Sequence, residues 1–200
     1  MPATPRYFDP LSTPELTSTI RRVFEDEPLL PLPPDAFEGW GLYAIYYSGD
    51  SVNLYRPLAG PELKIPLYVG RARRTSTSRG AESSRAQLRN RLVHHSESIS
   101  GGGLPLDEFR CRVLLMDDVH INMGEGALIG TYRPVWNSVL TGFGSNEPGR
   151  FRQGAASAWD TVHAGRGRTA GSQHTRGLDT LTQAAAERIA EQITQASDAT

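Results

Sequence analysis

Residues 41–47 read Gly41-Leu42-Tyr43-Ala44-Ile45-Tyr46-Tyr47, and residues 65–70 read Ile65-Pro66-Leu67-Tyr68-Val69-Gly70. Both runs are short, rich in aromatic and branched residues, and bounded by glycine or polar loop, which predicts strands over Gly41–Tyr47 and Ile65–Val69. Phe109–Met116 predicts a third strand. Around them the spacing predicts helices over Pro14–Phe24, with Thr13 as N-cap, over Glu82–Ser98, stopped by Gly101–Gly103, over Met123–Tyr132, ended by Pro134, and over Leu178–Thr194. The expected fold is a mixed α+β domain: a small antiparallel sheet of three strands flanked by helices. Its parts are an N-terminal extension (1–39), a core (40–138), and an arm with a terminal helix (139–200). Residues 141–177 carry Gly, Arg and few aliphatics, so they read as an arm with little core of its own.

A chain of 200 residues suits one compact domain. No apolar run approaches a membrane span, and the N-terminus lacks a basic or apolar leader, so the expected location is cytoplasmic. The lone Cys111 excludes an internal disulfide. Net charge is −1, but the charge is unevenly spread. Seven arginines fall between Arg71 and Arg91 against the single acid Glu82. A second basic stretch holds Arg150, Arg152, Arg166, Arg168 and Arg176, with only Asp160 opposing. Concentrated positive charge on a near-neutral chain is the footprint of an anionic polymer on one face.

At about 100° per residue, Leu88, Leu92 and Ile99 form one helical stripe, and Arg91 and His95 fall on it. Glu125 shares a stripe with Leu128, Ile129 and Tyr132. Ionisable groups on a core face must be paired or functional. Arg91 and Glu125 can partner one another, or Glu125 can hold a hard cation such as Mg²⁺, which takes one or two carboxylates and keeps several waters. With two strand tyrosines nearby, the set suits hydrolysis of a phosphodiester.

This ordered set resembles the GIY-YIG nuclease superfamily over roughly residues 40–138. Tyr43 and Tyr68 match the tripeptide tyrosines, with Leu42 and Val69 in place of isoleucines. Arg91 matches the helix arginine, His95 a position that is His in a restriction-enzyme branch, Glu125 the metal-binding glutamate, and Asn137 the closing asparagine. The spacing between the tyrosines is longer than in most members, and Arg71 stands where many have lysine. The extra segments, with Gly142-Phe143-Gly144 and Pro148-Gly149-Arg150, are similar to the type II restriction endonucleases that cut CCGCGG.

The resemblance implies roles. Tyr68 orients or deprotonates water, His95 takes its proton, Arg91 stabilises the transition state, Glu125 holds one Mg²⁺, Tyr43 positions phosphate or water, and Asn137 braces Glu125 or the helix end. Arg71, Arg73, Arg74 and Arg79 are expected on backbone phosphates. Arg150, Arg152, Gln153, His163 and Arg166 are candidates for reading bases. The implied partners are double-stranded DNA, a second copy forming a homodimer on a palindromic, G/C-rich site, and a companion methyltransferase. Three alternatives stand beside this: a non-catalytic DNA-binding protein on the same module, a repair or homing nuclease, and a metal site on Glu62 and Lys64 with Asp50. His94, His120 and His174 read as surface or structural, and Asp117-Asp118 as a turn.

Overall fold

The computed structural model describes residues 14–60, 62–74, 85–144, 156–166 and 174–198. At its centre lies β2 (Gly41–Tyr47), with all seven residues buried. A strand with no polar face needs cover on both sides. It pairs antiparallel with β3 (Tyr68–Ala72) on one side and β4 (Phe109–Leu115) on the other, and β1 (Leu30–Pro31) adds to β4, giving the order β1-β4-β2-β3. The sheet therefore has four strands, the fourth drawn from the segment expected to be an extension.

Alternation along β2 divides the core. Leu42, Ala44 and Tyr46, joined by Val69 of β3, pack against α1 (Pro14–Asp26) and α3 (Asp118–Tyr132) through Ile20, Phe24, Ile121 and Leu128. Tyr43, Ile45 and Tyr47 face the other way, onto Leu88, Leu92 and Ile99 of α2 (Gln87–Gly101). That second layer also contains Trp136 from the short α4 (Val135–Ser138), Trp159 from α5 (Ala158–Val162), and Leu181, Ala185 and Ile189 from α6 (Leu178–Asp198).

Several elements depart from expectation. The second strand begins at Tyr68, because Pro66 has no N–H for the ladder, and its pairing runs past Gly70 to place Ala72 opposite Gly41. Asp117 and Asp118 open α3 instead of a turn: Asp117 is extended at the N-cap position and Asp118 lies in the first turn, where the helix dipole favours a negative charge. The arm is also less hollow than its aliphatic count suggests. Phe143 and Trp159 are both buried, and two aromatic side chains cover the area of several aliphatic ones.

Side chains of α6 close the end of α3. Arg188 Nε donates to the Arg133 carbonyl at 3.0 Å and Gln192 Nε2 to the Tyr132 carbonyl at 3.0 Å, satisfying groups that a helix terminus leaves open. Cys111 is a free, buried thiol whose pKa burial pushes up to about 12. Among the described residues no helix is long and apolar enough to cross a membrane.

Candidate active site

The register of β2 on β3 sets Tyr43 directly opposite Gly70. A Cβ at Gly70 would lie 2.5 Å from the Tyr43 hydroxyl, so the glycine of the second tripeptide makes room for the tyrosine of the first. Tyr68 stands on the same sheet face as Tyr43, with ring centroids 6.1 Å apart. The α2 stripe supplies the rest. The Tyr43 hydroxyl and His95 Nε2 share a hydrogen bond of 2.6 Å, and the imidazole lies 5.4 Å from both tyrosine rings. Arg91, one turn earlier, lies where its charge acts on both tyrosine hydroxyls, and it donates to the Gly144 carbonyl. Phe143 stacks on His95 at 4.7 Å and 20°.

Glu125 comes from the opposite layer. Arg71 shares the Val69 face of β3 and forms an ion pair with the Glu125 carboxylate. Because β3 is the edge strand, the two layers meet around it, and the Glu125 charge acts on both tyrosines, helping to raise their pKa values. Burial is the main cause of both shifts. Tyr43 is held well above the usual phenol value by burial and by Tyr68, against the pull of Arg91. Tyr68 is likewise raised by burial, with Arg91 opposing. Glu125 is raised by burial and drawn back by Arg71 and Arg73. The cluster can move protons along hydroxyls while keeping a carboxylate at its rim.

The family model described as the Eco29kI GIY-YIG domain matches residues 35–197. This chain belongs to the Eco29kI GIY-YIG family. The family is one of restriction endonucleases, so the chain is a restriction-type nuclease that acts on DNA. No curated protein matches it.

Within this GIY-YIG fold, Asn137 does not reach Glu125. Its Oδ1 accepts from Val69 N at 2.8 Å and its Nδ2 donates to Val69 O at 2.9 Å, so one amide completes the outer edge of β3 beside Tyr68. His95 is hydrogen-bonded to Tyr43, and its ring also lies against Tyr68. Among the residues expected on phosphate, Arg71 is on Glu125, while Arg73 and Arg74 are exposed, with Arg74 lying over Trp40 at 5.4 Å. Arg79, Arg150, Arg152 and Gln153 lie outside the described residues. Glu62 and Lys64 pair with one another on the exposed surface at 2.6 Å. Among the described residues no group of three or more His, Cys, Asp or Glu side chains is assembled to hold a metal.

Two expected base readers are corrected. His163 is buried, with its Nε2 on the Tyr55 hydroxyl at 2.6 Å and its ring 4.6 Å from Trp159. The Arg166 guanidinium is paired with Asp160 at 2.7 Å and lies 4.1 Å from the Trp159 ring centroid. In this structure both side chains are engaged with the inner layer and not presented on the surface. Burial, and secondarily Arg166, lowers the His163 pKa to about 4. The unfolded value is near 6.5, so the unfolded chain binds more protons in between. Stability is then full above that value and falls with pH down to about 4, by about 3 kcal/mol in all. Urea unfolding at neutral pH and at pH 4.5 should show this loss, with a smaller slope in His163→Gln.

In sequence Phe143 and Gly144 carry a resemblance but no role, yet they touch His95, Tyr68 and Arg91. The available signal was a phenylalanine between two glycines in a stretch otherwise poor in apolar residues.

Proposed function

We propose that this protein is a type II restriction endonuclease. It hydrolyses double-stranded DNA at a palindromic, G/C-rich site with Mg²⁺, as a cytoplasmic homodimer accompanied by a methyltransferase of the same specificity. The observation that carries this reading is the continuous Tyr68, Tyr43, His95 and Arg91 cluster with Glu125 at its rim, in a chain of a restriction-enzyme family. A palindrome calls for two sites related by a two-fold axis, hence the dimer.

The donor set suits a largely hydrated magnesium ion: Glu125 is one partly exposed carboxylate, and Mg²⁺ takes few protein ligands. Glu125 would hold the ion. Once bound, it would supply charge neutralisation at the scissile phosphate and the leaving oxygen.

The protein's own residues handle the proton. With both tyrosine pKa values raised, free phenolate is scarce at neutral pH. A relay avoids it. Water gives a proton to Tyr68, whose own proton passes to Tyr43, whose proton passes to His95 Nε2, the nitrogen hydrogen-bonded to the Tyr43 hydroxyl. The resulting hydroxide attacks phosphorus while the bond to the 3′ oxygen breaks. That oxygen is protonated by solvent, leaving 5′-phosphate and 3′-hydroxyl ends. Arg91 stabilises charge on the phosphoryl oxygens.

The direct test is digestion of a long mixed-sequence duplex, with Mg²⁺ and with EDTA. Discrete fragments only with metal are expected, and sequencing their ends gives site and stagger. A smear would replace this reading with a repair-like nuclease. A salt-sensitive gel shift without cleavage would replace it with a binding protein.

A further inference from the structure

We propose that Phe143 and Gly144 are positioning residues for the hydrolytic centre, an inference that rests on the nuclease reading above. These two consecutive residues touch three side chains of the cluster. The Phe143 ring lies nearly parallel to the His95 imidazole, 4.7 Å away and tilted by 20°, and meets Tyr68 edge-on at 5.1 Å. An imidazole that must present Nε2 to Tyr43 needs its ring rotation fixed, and a stacked ring does that where an aliphatic plug would not. The Gly144 carbonyl accepts from Arg91, which sets the guanidinium. A Cβ at Gly144 would overlap the Tyr68 hydroxyl, so glycine lets that hydroxyl point into the cluster.

The pair is itself anchored. Phe143 packs 4.5 Å from Trp136 and 5.2 Å from Trp159. Arg166, paired with Asp160, donates from Nη1 to the Phe143 carbonyl at 3.2 Å. The buried Arg166 thus has a purpose in the arm: it holds the segment that holds the catalytic groups.

Gly144→Ala is the cleaner probe, because the three atoms nearest its methyl group all belong to the far end of Tyr68 and the core is left whole. Its kcat should fall about 100-fold, the cost of a misplacement near 1 Å. KM, DNA affinity in EDTA and the thermal midpoint should stay within about threefold or a few degrees of wild type. In a Tyr68→Phe background the overlap with the hydroxyl is gone and only the 2.9 Å approach to the ring Cζ remains, so Gly144→Ala should cost far less than in wild type. Unchanged kcat, or the same loss in both backgrounds, overturns the proposal. A second readout needs no activity. ¹⁵N NMR of neutral His95 should report the proton on Nδ1 in wild type and a mixture of tautomers in Phe143→Leu. An identical tautomer in both also overturns it. A wild type that cuts no DNA but shows the tautomer change would sink the nuclease reading and leave the positioning role standing.

Discussion

Glu125→Gln should lose cleavage by about 10³-fold or more, the scale of removing a preorganised charge partner from a hydrolytic site. Folding should be little affected, because Glu125 lies partly exposed at the rim of the cluster. The change has a second, opposite consequence. In the parent chain Arg71 is spent on Glu125. With the carboxylate gone, Arg71 is available to a backbone phosphate, and each such contact adds about 0.9 to the salt slope of binding. DNA affinity in EDTA should therefore rise, and its dependence on salt should steepen by about one contact. Single-turnover cleavage together with fluorescence anisotropy across a salt series reads both. A variant that cuts at the parent rate would remove Glu125 from the site. One that binds DNA more weakly in EDTA would mean that the Arg71 and Glu125 pair does not compete with phosphate.

That pair marks where the sequence stops being a guide. The strands, the α2 stripe and the tyrosine pairing are legible because periodicity and short apolar runs report local geometry. Leu88, Leu92 and His95 are all buried on one face, as their spacing requires. The role of Gly70 follows once Tyr43 is known to lie opposite it. What cannot be read is which layer a side chain reaches around an edge strand. Arg71 looks like part of a basic loop, but it sits on the α3 face and meets Glu125. Asn137 looks like a partner of Glu125, yet the nearest unsatisfied groups are the backbone atoms of Val69. His163 and Arg166 sit in a run of glycine and arginine that reads as solvent-exposed. Their burial depends on Trp159 and Phe143 folding back onto Trp136, a long-range event with no local signature.

His95→Gln and Tyr43→Phe should each reduce kcat by about 10²- to 10⁴-fold, the range for removing a positioned proton acceptor. Combined, they should cost little more than either alone, because a relay broken at one link gains nothing from being broken at two. The pH profile separates this mechanism from simple phenolate catalysis. Both tyrosines have pKa values raised above the ordinary phenol value by burial, so neither ionises across the neutral and mildly alkaline range. The relay therefore predicts a plateau on the alkaline side. A rate that instead climbs tenfold per pH unit beyond about pH 9 would identify a phenolate as the base, since the ionised fraction of a phenol with a raised pKa grows in that proportion. Single-turnover rates at saturating enzyme and Mg²⁺ should be used, so that product release does not hide the chemical step.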